Sequence, residues 1–385
     1  MRIRRGHALA AALLTSALVV TGCARDTGTS APPAGGGSSG AAQCNRNPAP
    51  TAAAGASSAT AAPAAPNADA SGLKVGVAYD IGGCGDGSFN DAAAAGLEKA
   101  IADLGVVQQN TKELAAAANE SEDAAATRLR QLVSEGYNPI IAVGFKYATS
   151  LKTVASEAPQ TQFAIVDDSS VELPNVKPLV FAEEQGSFLV GAAAALKTQT
   201  CKIGFVGGVE QPLIQKFQAG YVQGAKAVAP DIQIDVKYLS PAGDFSGFND
   251  AAKGQVVASG ELDGGADVIY HAAGASGQGV FQAVKAANKS AIGVDSDQYN
   301  VPAYSDVKDV IITSMLKRVD VAVFDYINAV AAGDTSKLPA AFDLTVDGVG
   351  YATSGGKVDD IKADLDAYKA AIISGEIKVE STPSS

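Results

Sequence analysis

The chain has 385 residues, 47% of them hydrophobic and 18% charged, with 41 Gly, no Trp and a formal net charge of −12. That apolar content excludes a wholly disordered or fibrous chain, and the acidic balance argues against a surface built to neutralise nucleic-acid phosphates. Only His7 and His271 occur, which excludes a His-rich metal site and a paired-His acid–base mechanism.

Residues 1–22 read as a secretory signal. Arg2, Arg4 and Arg5 precede an apolar stretch over 8–20 that is too short to span a bilayer. Val20-Thr21-Gly22-Cys23 looks like a bacterial lipobox, so Cys23 is the expected lipid carrier and the expected location is the outer face of the cell membrane. Residues 23–72 are almost entirely Ala, Gly, Pro, Ser and Thr, which bury too little apolar area to offset their ordering entropy; they read as a disordered tether. As a flexible coil it would hold the body about 35–45 Å from the lipid. With Cys23 acylated, Cys44, Cys84 and Cys201 remain. An exported compartment permits a disulfide, at least one thiol is left over, and spacing does not choose the pair. The absence of any CxxC argues against a redox motif or zinc ribbon.

From Leu73 onward, short apolar runs closed by Asp or Gly alternate with helical stretches. The clearest strands are 75–79, 140–143, 163–166, 203–206, 268–270 and 292–294, continuous apolar runs of the kind that are buried on both faces. Leu97, Ala100, Ile101 and Leu104 fall at helical spacing before Gly105, and Leu129, Leu132 and Val133 do so before Gly136. This alternation predicts an α/β fold with parallel sheets, and about 310 residues of it predict two lobes.

Open parallel sheets bind ligands beyond the carboxyl ends of their strands. Those ends carry Asp80, Gly144, Asp167 with Asp168, Gly207 with Gly208, Gly274, and Asp295 with Asp297. Asp is also a good helix N-cap, so each alone has a structural reading. Together they suit hydroxyl and N–H donors and repel phosphate, which points to a neutral, polyol-like or amide-bearing ligand. The loop Gly82-Gly83-Cys84-Gly85-Asp86-Gly87-Ser88 departs from a dinucleotide fingerprint, with Ser88 where a third glycine belongs and Asp86 where a pyrophosphate would sit. No GxxxxGK[ST] loop occurs. His271, at the end of an apolar run, reads as an ordinary strand-end histidine. No catalytic residue and no cofactor are expected.

Several motifs in order carry a resemblance. They are Lys74-Val75-Gly76-Val77-Ala78-Tyr79-Asp80-Ile81-Gly82-Gly83 with Asp86-Gly87-Ser88-Phe89-Asn90, then Phe163-Ala164-Ile165-Val166-Asp167, Glu184-Gln185-Gly186-Ser187-Phe188 and Gly204-Phe205-Val206-Gly207-Gly208. Phe217-Gln218-Ala219-Gly220-Tyr221, Ala273-Gly274-Ala275-Ser276-Gly277, Gly293-Val294-Asp295-Ser296-Asp297-Gln298 and Ser314-Met315-Leu316-Lys317 follow. The chain from 73 to about 355 resembles the basic membrane protein, or PnrA-like, family of lipoproteins, nucleoside-binding components of ABC importers. The resemblance implies a type I periplasmic-binding-protein fold with two Rossmann-like lobes and three hinge crossings. Lobe 1 would be 73–183 plus about 318–340, and lobe 2 184–317 plus about 341–385. It implies that Phe89 and Phe217 sandwich a base whose polar edge meets Asn90 and Asp167. Asp295 and Lys317 would grip the ribose, Gly274 would allow close approach and Asp80 would support the first loop. The implied partners are a nucleoside, an ABC permease with its ATPase, and the membrane through the lipid anchor, with the protein itself a monomer.

The residues themselves support these roles unequally. Phe89 and Asn90 follow a glycine-rich loop at a helix start, where both can point into a cleft. Leu213, Phe217 and Tyr221 fall at i, i+4 and i+8, which also describes an ordinary core stripe. Lys317, beside Arg318, reads on its own as a solvated charge. Asp167 and Asp168 compete for the same role. A neutral sugar ligand, or a sensor lipoprotein serving a membrane kinase, are the alternative readings.

Overall fold

The computed structural model describes residues 44–51, 66–117 and 120–383. The expected signal and the acylated Cys23 lie outside the described residues. Among the described residues no helix is long and apolar enough to cross a membrane.

The first sheet contains β1 (Val75–Ile81), β2 (Thr111–Ala116), β3 (Ile140–Ala142), β4 (Phe163–Val166) and β5 (Val176–Leu179), all parallel, in the order β2-β1-β3-β4-β5. Its helices are α1 (Phe89–Leu104), α2 (Glu122–Ser134) and α3 (Ala148–Glu157). The chain then enters α4 (Glu183–Lys197) and a second sheet of β6 (Lys202–Val209), β7 (Gln233–Ser240), β8 (Val268–Ala272), β9 (Ser290–Asp295), β10 (Ile311–Lys317) and β11 (Val349–Tyr351). Read from its β7 edge, this sheet repeats the order of the first, β7-β6-β8-β9-β10, and adds β11 antiparallel to β10. Its helices are α5 (Pro212–Val228), α6 (Ala251–Asp263) and α7 (Gly277–Ala286), with α4 and α9 (Lys362–Ile373) on the same lobe. One helix crosses over: α8 (Val319–Ala331) follows β10 but packs on α1, where a side chain at Gly96 would strike the Asp320 carbonyl oxygen at 2.5 Å. Phe181 and Phe342 pair as an isolated parallel bridge between the lobes.

The sequence-predicted strands fall on β1, β3, β4, β6, β8 and β9, which are interior strands, as is β10. The edge strands β2, β5 and β7 were not visible in the same way. β2 has no buried residue, β5 is buried only at its two ends and β7 only at its last two residues, and β5 carries Pro178, which the ladder tolerates at an edge. Gly105 and Gly136, predicted as helix stops, both take the left-handed conformation after α1 and α2.

Close contact between α4 and α5 fixes the second lobe. A Cβ at Gly220 or Gly224 would lie 2.0 Å or 1.9 Å from the carbonyl oxygens of Glu184 and Phe188. Only glycine permits this approach, and it sets the height at which Phe217 leaves α5.

The disordered reading of 23–72 does not hold for its described parts. Cys44 is disulfide-bonded to Cys201, leaving Cys84 as the exposed free thiol among the described residues. Arg46 donates to the carbonyls of Ala195 at 3.1 Å and Thr198 at 2.9 Å, and Asn47 caps the end of α5 through Val228 and Ala227. These helix-end carbonyls have no partners inside their own helices, so a polar segment gains binding by satisfying them. Further on, Ala70 is fully buried and hydrogen-bonded to Leu104, and Asn328 of α8 accepts from the Ala68 amide at 2.8 Å. Composition described this segment's own burial capacity and was blind to the surface it covers.

Candidate functional site

In a doubly wound sheet the two loops either side of the order reversal separate and leave a crevice. The reversals lie between β1 and β3 in the first sheet and between β6 and β8 in the second. The loops after these strands face one another across a single cleft. Asp80, Phe89, Asn90, Asp167, Phe217, Gly274, Asp295 and Lys317 all line it, together with Phe145, Leu213, Ile214 and Phe248.

The centre of the cleft is a charge cluster built from both sheets. Lys317, the last residue of β10, has a side chain only 3% exposed. Its Nζ donates to Asp167 Oδ2 at 2.7 Å and lies 3.5 Å from Asp295 Oδ1. Burial alone disfavours the ammonium, but Asp167, Asp295 and Glu183 outweigh it and hold Lys317 well above its ordinary pKa. Asp167 and Asp295 sit at positive φ, 68° and 63°, a strained conformation that lifts each carboxylate off its strand end into the cleft. Each keeps one buried oxygen, Oδ1, without a hydrogen-bond partner. The expected solvated Lys317 is thus corrected: the strand end buries it among acids. Asp168 turns away, accepting from the amide and hydroxyl of Ser170.

Aromatic faces surround that ammonium. Its Nζ lies 4.5 Å from the Phe89 ring centroid, 5.5 Å from Phe217 and 5.7 Å from Phe181. Phe89 opens α1 in the first lobe and is half-buried, whereas Phe217 is 2% exposed on α5 of the second. The helical stripe therefore divides: Leu213 and Phe217 line the cleft, while Tyr221 belongs to the core against Phe205 and Tyr270.

Asn90 faces the cleft with its amide already engaged. Oδ1 accepts from the Asp80 amide at 3.1 Å, and Nδ2 donates to Asp86 at 3.0 Å and the Ile81 carbonyl at 3.3 Å. Its visible task is to hold the first loop, and one lone pair on Oδ1 remains for a ligand. Asp80 accepts from the Ile81 amide, and burial pushes its carboxyl up to about 6.

The glycine loop spends its anion-binding capacity on the chain itself. Asp86 accepts from the amides of Ser88, Asn90 and Asp91, and Asp91 accepts from those of Gly85 and Gly87. Two carboxylates fill the start of α1, where a phosphate would have to bind.

Other participants were not found from the sequence. Ser88 donates to Asp295 Oδ2 at 2.9 Å, and Gln298, fully buried, donates to the Gly87 carbonyl at 3.0 Å. Both fasten the first loop to the end of β9 in the opposite lobe. Glu183, fully buried, receives Lys216 at 3.1 Å and is pushed up to about 7 by burial and by Asp167. Ser88 and Gln298 both lie in motifs that carry the resemblance, and Glu183 lies just before one. His271 lies outside the cleft, edge-on to Phe281. Burial lowers its pKa to about 4, so it stays neutral and donates from Nε2 to Gln298.

Two α/β lobes with matching sheet orders, opposed across a cleft at both switch points, have the architecture of a ligand-binding protein. The comparisons agree. Residues 73–382 match the family model described as ABC transporter substrate-binding protein PnrA-like, and the chain belongs to that family. It is 38% identical over 322 residues to the CD4+ T-cell-stimulating antigen of Listeria monocytogenes, covering 80% of this chain and 88% of that one. It is 34% identical over 329 residues to the ABC transporter nucleoside-binding protein BmpA of Lactococcus lactis, covering 80% and 89%. A solute-binding protein of Aeropyrum pernix K1 superposes with a TM-score of 0.68 at 27% identity, covering 81% and 94%.

Proposed function

We propose that this protein captures a nucleoside, with a purine base, between its two lobes and delivers it to the permease and ATPase of an importer, held at the outer membrane face by a lipid on Cys23. The observation that carries this reading is the central cluster. Lys317 stands between Asp167 and Asp295, each with an unpartnered buried oxygen, and beside Phe89 and Phe217 from opposite lobes. The carboxylates accept from ribose hydroxyls and base N–H groups, the ammonium donates, and the two rings offer a base an apolar stack. Support also comes from the Lactococcus relative, which bears the name of a nucleoside-binding protein.

Contacts between the lobes suggest how capture proceeds. Asp167–Lys317, Ser88–Asp295 and Gln298–Gly87 each join the two sheets, so a ligand that bridges the same strand ends favours the closed form that docks on the permease. Titration calorimetry of the full chain, unfolded and refolded to strip bound ligand, tests the reading. Adenosine, guanosine, inosine, cytidine, uridine, their bases and ribose form the panel. Micromolar or tighter binding of purine nucleosides, with bases and ribose far weaker, is the expected result. Heat from ribose alone would replace the nucleoside by a neutral sugar, which the same carboxylates also suit.

A further inference from the structure

The cleft does not end at the residues placed around the base and ribose. Past Phe145 it widens into a second chamber of about 470 Å³ that shares Asp80 and Phe145 with the inner compartment but contains none of Asp167, Asp295 or Lys317. Both lobes build it. Phe145 of the first and Phe245 of the second meet at 5.8 Å between ring centroids, and Lys146 Nζ lies 4.7 Å from the Phe245 ring. Glu120 and Asp244 complete opposite walls.

We propose that this chamber is a subsite for a substituent carried on the base, and that it favours one bearing an ammonium group. The inference rests on the nucleoside reading of the inner compartment. Its direction follows from Asp80, whose amide is bonded to Asn90. The chamber opens on the side assigned to the base edge, away from the ribose grip at Lys317. Its charge preference follows from the wall. Glu120 is satisfied by Arg128, with Nη1 to Oε1 at 2.7 Å, which leaves Asp80, Glu122 and Asp244 in the wall with Lys146 as the one basic lining residue. Lys146 is itself drawn over the Phe245 ring, so it neutralises only part of that acidity. An aliphatic arm runs along Phe145, the residue shared by the two compartments, and a terminal ammonium meets the carboxylates beyond.

Calorimetry on the full chain with three ligands tests this. These are adenosine, adenosine with an aminobutyl arm on its exocyclic nitrogen, and adenosine with the same arm on its ribose hydroxymethyl group. The base-armed ligand is expected to bind within about threefold of adenosine or tighter, and the ribose-armed one at least about tenfold weaker. Thr149→Trp, which fills the chamber from α3, is expected to weaken the base-armed ligand by about tenfold while leaving adenosine unchanged. Asp244→Asn should weaken the ammonium arm about two- to fivefold relative to a butyl arm. If adenosine binds and the base-armed ligand does not, the chamber proposal is overturned and the nucleoside reading stands. If both bind but Thr149→Trp distinguishes neither, the arm lies elsewhere and the proposal is again overturned. If no nucleoside binds at all, the underlying reading falls and takes the subsite with it.

Discussion

Replacing Lys317 by methionine keeps the unbranched apolar stem and removes the terminal nitrogen with its charge, so it isolates what the ammonium does. At 2.7 Å and 3.5 Å from one nitrogen, the facing oxygens of Asp167 and Asp295 lie within about 6 Å of each other, and without the cation they repel by roughly 3 kcal/mol at an effective dielectric near 20. The two carboxylates belong to opposite sheets, so the repulsion acts directly on lobe closure and shifts that equilibrium about 100-fold towards the open form. Protonation relieves it. With the cation gone, a native-state carboxyl pKa rises above its unfolded value, so the native state binds the extra proton, and stability is present at low pH and lost as pH rises. Ligand-free small-angle scattering and denaturant unfolding at pH 5 and pH 8 read both effects. Lys317→Met should be expanded and less stable at pH 8, and recover towards pH 5. Lys317→Met with Asp167→Asn should be compact at both. A Lys317→Met protein as compact and stable as the parent at pH 8 would refute the reasoning.

Phe89→Ala should lower purine nucleoside affinity by 1–3 kcal/mol, the usual worth of a base–aromatic stack, with little change in melting temperature because Phe89 is half-buried at a helix start. Phe217→Ala, at a residue 2% exposed, should lose comparable affinity and also about 3–5 kcal/mol of stability in denaturant unfolding. Glu261 is 1% exposed, both its carboxylate oxygens lack hydrogen-bond partners, and burial pushes it up to about 8. Its contribution to stability is therefore complete below about pH 4.5 and is lost as pH rises to about 8, by at most 4–5 kcal/mol; Glu261→Gln should flatten that slope in pH-dependent melts. Cys44→Ser with Cys201→Ser should cost about 2–4 kcal/mol and make the chain near residues 44–51 newly sensitive to protease. A nucleoside monophosphate should bind at least about 100-fold more weakly than its nucleoside in calorimetry, because its charge meets Asp80, Asp86, Asp167 and Asp295 with Lys317 as the cleft-lining cation.

Interior strands were legible because burial on both faces forces continuous apolar runs, and the cleft-facing strand ends were legible because Asp and Gly interrupt those runs. Edge strands such as β2 and β7 carry no such constraint, and their residues resemble loop or helix surface. Burial of a charge was illegible for a related reason. Nothing local to Lys317 distinguishes it from the neighbouring Arg318, which is partly exposed and bonded to Asp320; the difference arises from β4 and β9, more than a hundred and about twenty residues earlier. The family resemblance supplied Lys317, and the structure supplies the physical reason. Asn90 shows the reverse case. Residue type and loop position suggested a ligand contact, but the amide's partners, Asp80, Ile81 and Asp86, form a local network that the sequence contains without displaying.

Charge explains why one glycine loop can look like a nucleotide site and act as its opposite. A helix start offers free amides and a positive dipole end to any anion. Here Asp86 and Asp91 occupy those amides from within the chain, so the loop presents carboxylate where a phosphate would need amide. The same acids leave Phe89 at the first turn of α1, facing the cleft with no charged group of its own to be desolvated. Across the cleft, Asp167 and Asp295 hold Lys317 in place and each keeps one buried oxygen without a hydrogen-bond partner. A neutral molecule with hydroxyls at one end and a flat apolar face at the other would meet these groups without adding negative charge to a compartment lined by four carboxylates and one ammonium.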